Sequence, residues 1–175
     1  MRKVIVVILA VLALVVGMAI PAFAATTADV IINVTPSVVA ISVTPSADYD
    51  FGVQATSATP STTTTYFTID NTSTVQTDQT IAVTSATWEG GTYDWTHAEN
   101  GAPGASTVGL KANKGGTWGV SDVVVAYTTP LNLAENQAAT TDYSYGLKML
   151  VPTSFNASET GTEKTNTVRV SAAAG

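Results

Sequence analysis

One histidine limits what catalysis this sequence can support. His97 is the only imidazole and cysteine is absent, so a His-based triad or His-rich metal centre has a single candidate. Asp94 and Glu99 are the acidic residues nearest to it in sequence. In a hairpin turning on Gly90-Gly91, however, Asp94 and His97 project from opposite faces of one strand. No G-x-S-x-G elbow, Walker loop or H-E-x-x-H helix occurs. Asp48 and Asp50 could serve as a carboxylate pair, but that spacing is generic, and Asp48-Tyr49-Asp50 lacks the rest of an EF-hand loop. The reading is a non-enzyme with no catalytic residue, no metal ligand set and no cofactor.

The aromatic residues offer a second kind of chemistry. With Glu89 opposite Thr92 and Trp88 opposite Tyr93, the same hairpin gathers Trp88, Tyr93 and Trp95 on one face. Thr87, Glu89, Thr92 and Asp94 then take the other. Such a cluster supplies buried area to a core; exposed, it is a platform on which sugars stack. The polar opposite face favours the core, and the glycan platform is kept as the alternative. Three N-x-[ST] sequons, at Asn33, Asn71 and Asn156, are close to chance frequency in so Thr- and Ser-rich a chain. The run Ser61-Thr62-Thr63-Thr64-Thr65 is either an O-glycan acceptor or a polar loop.

The elements that must carry these residues are strands. Thr and Ser are abundant, Val is the main β-branched aliphatic residue, and β-branched side chains suit a pleated surface. Period-two runs recur between turn signals. They include Val30-Ile32-Val34, Val39-Ile41-Val43, Thr64 to Asp70, Ile81 to Trp88, Thr92 to His97, Thr107 to Ala112, Thr117 to Tyr127, Tyr143 to Val151, and Val168-Val170. Leu131 to Ala138, after Pro130, is the one stretch that reads as a helical turn. Nine or ten short strands in one domain predict an all-β, antiparallel sandwich of two packed sheets.

The N-terminus reads separately. Arg2 and Lys3, an apolar run from Val4 to Ile20, then Pro21 and Ala22-Phe23-Ala24 form a signal-peptide pattern. Residues 1–24 are therefore expected to be removed on export, leaving no membrane span. Losing Arg2 and Lys3 takes the formal charge from −6 to about −8, which argues against nucleic acid as a partner. Between Ala25 and Leu110 there is no Lys or Arg, so the chain is electrically uneven along its length. Residues 25–46 form an apolar, β-prone segment in which Val34-Thr35-Pro36-Ser37 is repeated as Val43-Thr44-Pro45-Ser46. It is either an ordinary first strand, with residues 47–175 as the rest of the sandwich, or an assembly strand that completes a neighbour's sheet. The residues that would do so are Val30, Ile32, Val34, Val39, Ile41 and Val43.

Tyr49-Asp50-Phe51-Gly52-Val53, followed by Thr65-Tyr66-Phe67-Thr68-Ile69-Asp70-Asn71, resembles the opening of bacterial and archaeal immunoglobulin-like surface domains. Tyr145 to Pro152 and Thr167 to Val170 are similar to their last two strands. Trp118-Gly119-Val120 is similar to the W-x-L motif of cell-wall-binding domains, with Val in place of Leu. The immunoglobulin-like resemblance implies a β-sandwich exposed at a surface and carries no catalytic residue. Together these features predict a secreted, extracellular or cell-surface structural protein whose partner is itself, as a subunit of a filament or surface layer. The alternative is a carbohydrate-binding or adhesive module engaging cell-surface glycans.

Overall fold

The computed structural model describes residues 36–159 and 161–175. The signal-peptide pattern and the runs containing Val30, Ile32 and Val34 lie outside these residues. Ten strands are present among those described. They are β1 (Ile41–Thr44), β2 (Phe67–Asn71), β3 (Thr77–Val83), β4 (Thr87–Trp88), β5 (Trp95–His97), β6 (Thr107–Asn113), β7 (Asp122–Val124), β8 (Leu131–Gln137), β9 (Tyr143–Leu150) and β10 (Val168–Ala174). The only helical element described is a 3-10 turn, Ala157–Glu159.

The strands form two sheets in a sandwich-like arrangement. The larger runs β1-β2-β9-β6-β5-β4, with β7 also on β6, and the smaller runs β10-β3-β8. The large sheet is mixed, which corrects the expectation of purely antiparallel strands. The edge of β6 that faces away from β9 is shared. Its first residues pair with β5 in parallel, Thr96 beside Thr107, and its last pair with β7 antiparallel, Asn113 beside Asp122.

Alternation explains which residues fill the interior. Phe67 and Ile69 of β2, Ile81 and Val83 of β3, and Tyr145, Leu147 and Met149 of β9 sit at every second position and are all buried. Val108, Leu110 and Ala112 of β6 complete the wall facing β3, with Leu133 supplied by β8. At one end the interior turns polar. Asn71, Ser73, Thr77 and Gln79 are buried there, and the Asn71 amide donates to the Thr77 hydroxyl and the Ala138 carbonyl.

Two expectations are overturned. Leu131–Gln137 is strand β8, not a helical turn: its pairing with Thr77–Ile81 of β3, through a bulge, outweighs the local preference of Leu, Ala, Glu and Gln. Asn136 takes a positive φ of 50° at that irregularity. The stretch from Thr117 to Tyr127 is strand only at Asp122–Val124, because Trp118 to Val120 form a turn.

The segment before β2 is not a free loop. Residues 57–62 run beside the far half of β9: the N–H groups of Met149 and Val151 donate to Pro60 and Ala58, and the Thr62 N–H donates to Leu147. The chain then crosses over Gly146 to begin β2. A Cβ at Gly146 would lie 2.3 Å from the Thr63 carbonyl oxygen, so only glycine lets the two backbones approach this closely.

Candidate functional site

The aromatic hairpin is built differently from the two-residue turn. Thr87 pairs with Thr96 and Trp88 with Trp95, so residues 89–94 form a longer connection. Glu89 instead bridges to Thr165, and the Lys164 ammonium donates to the Gly90 and Tyr93 carbonyls. This clamp from another part of the chain sets the register, and residues 87–95 alone give no sign of it. Trp88 and Trp95, directly opposite each other, share a face as expected, whereas Tyr93 lies in the connection and leaves the cluster. Trp88 is buried, Trp95 is half-buried and stacked on Phe155, and Tyr93 is exposed in the connection.

His97 is held entirely by structural bonds. The Trp88 indole Nε1–H donates to His97 Nδ1 at 3.3 Å, and His97 Nε2 lies 2.6 Å from the Val125 carbonyl oxygen. An indole only donates and a carbonyl only accepts, so the ring carries its hydrogen on Nε2 and both nitrogens are used. The ring also stacks on Trp88, with centroids 6.5 Å apart, and it is 4% exposed. Asp94 is not among its partners. Glu99 instead accepts hydrogen bonds from the Tyr127 and Thr128 N–H groups and the Thr128 hydroxyl. Slight burial raises its pKa, but these bonds and the nearby imidazole outweigh that and hold it below the ordinary carboxylate range. Among the described residues no three His, Cys, Asp or Glu side chains converge as a metal site.

What stands out is a cleft of about 1100 Å³ at one end of the sandwich. Its floor is core: Phe67, Leu110, Leu147, Met149 and Val151 line it from the large sheet. Its walls are Thr84 to Glu89, the residues 161–168 that lead into β10, and the Pro45 to Gln54 crossing. Tyr49 and Phe51 of that crossing pack edge-on in an aromatic ladder with Tyr66 and Phe67. The segments Tyr49 to Val53 and Thr65 to Asn71 thus meet here.

Two strand edges without a partner among the described residues flank this cleft. The Thr84 N–H donates to the Thr167 carbonyl and the Gly175 N–H to the Gln76 carbonyl, so the odd-numbered residues of β10 serve β3. By the antiparallel pattern, Val168, Val170, Ala172 and Ala174 direct their N–H and C=O groups to the other side. No described strand pairs there. On β1, the Thr72 N–H donates to the Ala40 carbonyl, so Ile41 and Val43 likewise turn their backbone groups away from β2. The inward side chains of both strands, Ile41, Val43, Val168 and Val170, pack against the core yet remain only half-buried. Val39, just before β1, is 39% exposed.

Of the sequons, Asn71 is buried in the polar tier, and Asn156 is exposed beside the 3-10 turn; Asn33 lies outside the described residues. Trp118 packs on the outer side of the large sheet, where the Lys148 ammonium sits 4.3 Å from its ring centroid and 3.8 Å from the Asp122 carboxylate. Comparison with protein-family models, with curated proteins and with solved structures finds no match.

Proposed function

We propose that this is an exported, non-enzymatic structural protein, an immunoglobulin-like β-sandwich that self-associates as a subunit of an extracellular filament or surface layer. The observation that carries the reading is the pair of edges, β1 and β10, that no described strand pairs, with half-buried apolar residues beside an apolar-floored cleft. Proteins usually blunt such edges with charges, prolines or a covering segment. Here the inward positions of β10 are Val168, Val170 and Ala172, which suits partnership better than isolation. His97 supports the same reading, because both of its nitrogens are committed to structural bonds. Sedimentation of the exported chain over a range of concentrations tests this. Mass should rise with concentration.

A carbohydrate-binding or adhesive module is the second reading. It is favoured by Trp88 and Trp95, which both line the cleft together with Asp48 and Glu89, a mixture of stacking surface and acceptors suited to a sugar. Titration with polysaccharides, followed by tryptophan fluorescence, separates the two. Saturable quenching that is lost in Trp95→Ala would favour the glycan-binding reading.

A further inference from the structure

We propose that Asn156 is a glycosylation site, whose side-chain nitrogen takes a glycan from a lipid-linked saccharide phosphate during export. This rests on the export part of the reading above and is independent of self-association.

The sequence offers three acceptor tripeptides, and the fold separates them. Asn33-Val34-Thr35 lies outside the described residues. Asn71-Thr72-Ser73 is spent on the interior: Asn71 is 3% exposed, and its amide nitrogen donates to the Thr77 hydroxyl and the Ala138 carbonyl. A sugar on that nitrogen would break both bonds and open the polar tier. Asn156-Ala157-Ser158 is the opposite case. All three residues are exposed. Asn156 is bonded through its N–H, its carbonyl and Oδ1, and no described residue engages its Nδ2.

The turn that carries this tripeptide is pinned from inside. One carboxylate oxygen of the buried Glu159 accepts the Asn156 N–H at 2.8 Å and the Trp95 indole N–H at 3.3 Å. The Glu159 N–H donates in return to the Asn156 carbonyl. Phe155 stacks on Trp95, with ring centroids 5.7 Å apart. Phe155 and Glu159 both line the cleft, whereas Asn156 is held on the outside of the turn. A bulky, hydrated substituent there takes no contact from the core.

Chemistry explains the place of Ser158. A carboxamide nitrogen is a poor nucleophile, because its lone pair is delocalised onto the carbonyl oxygen. Ser158 donates to Asn156 Oδ1 from its N–H, at 3.1 Å, and from its hydroxyl, at 3.0 Å. Two donors on that oxygen stabilise the charge that gathers there as Nδ2 gives up a proton to a base of the transferase. Nδ2 then attacks the anomeric carbon of the saccharide. The new C–N bond forms as the bond from that carbon to the phosphate oxygen breaks, and the lipid phosphate leaves with the electron pair.

Protein recovered from outside the producing cells, digested and mapped by tandem mass spectrometry, tests this. A saccharide is expected on Asn156 and none on Asn71. Asn156→Gln and Ser158→Ala should each remove it, and Ser158→Thr, which keeps the hydroxyl, should retain it. The near-ultraviolet circular dichroism of Asn156→Gln should match that of the parent chain, since the backbone N–H bound by Glu159 is kept. An exported chain with a bare Asn156 would overturn the inference and leave export standing. A saccharide that persists in Ser158→Ala would overturn it too, because the hydroxyl would then play no part. A chain that stays inside the cell, unmodified and with residues 1–24 intact, would reject both the inference and export.

Discussion

His97 shows how a residue suited to chemistry can be spent on structure. Its two nitrogens join β5 to Trp88 on β4 and to the Val125 carbonyl after β7. His97→Phe keeps the stacking but leaves an indole N–H and a carbonyl without their partner. Each buried orphan costs about 1–3 kcal/mol, so a loss of about 2–5 kcal/mol is expected in denaturant unfolding. A loss below about 1 kcal/mol would mean that the bonds matter little. Tyr145 offers a second residue-scale test. Burial raises its phenol from 10.0 to about 12. Because the folded pKa lies above the unfolded one, the neutral phenol stabilises the fold fully below pH 10, and this contribution fades as pH rises toward 12. The two-unit difference corresponds to about 2–3 kcal/mol. Unfolding measured across this window should show a decline that Tyr145→Phe reduces. The polarity of single residues was legible in the sequence, but their partners were not: nothing near His97 in the chain points to Val125.

At the scale of elements, strands were legible where alternation was uninterrupted, as in β6 and β9, and illegible where a distant partner decided. The single strand expected from Ile81 to Trp88 is the end of β3 and a separate β4, which belong to different sheets. The helical reading of Leu131 to Ala138 failed because β3 offers a ladder that outweighs propensity. The two-residue turn at Gly90-Gly91 failed because Lys164 and Thr165 hold that connection from outside. The connection after β7 is held in a similar way, by Glu99. Its carboxylate has a lowered pKa, so its contribution is present above the usual value of 4.5 and lost as pH falls through the folded value. Hydrogen exchange at the Tyr127 and Thr128 amides should quicken in acid before global unfolding, and Glu99→Gln should remove that pH dependence. Unchanged protection of both amides down to the unfolding pH would contradict the assignment.

At the scale of the whole molecule, the sandwich class followed from composition and period, whereas the mixed large sheet did not. The parallel β5–β6 pairing involves two residues of each strand and leaves no trace in alternation. The candidate site was half legible. The sequence marked residues 25–46 as apolar and β-prone, and their last part is indeed strand β1. The open edges of β1 and β10 among the described strands were hidden, since strand pairing is a property of sheet order rather than of any local pattern. The sandwich has a cleft at one end, the start of its described chain at the other, and outer edges of β1 and β10 that no described strand pairs. Electron microscopy of the protein recovered from outside the cell tests the self-association reading most directly. The account predicts filaments or ordered layers whose repeat matches one sandwich. Dispersed, uniform monomers at high concentration would contradict it.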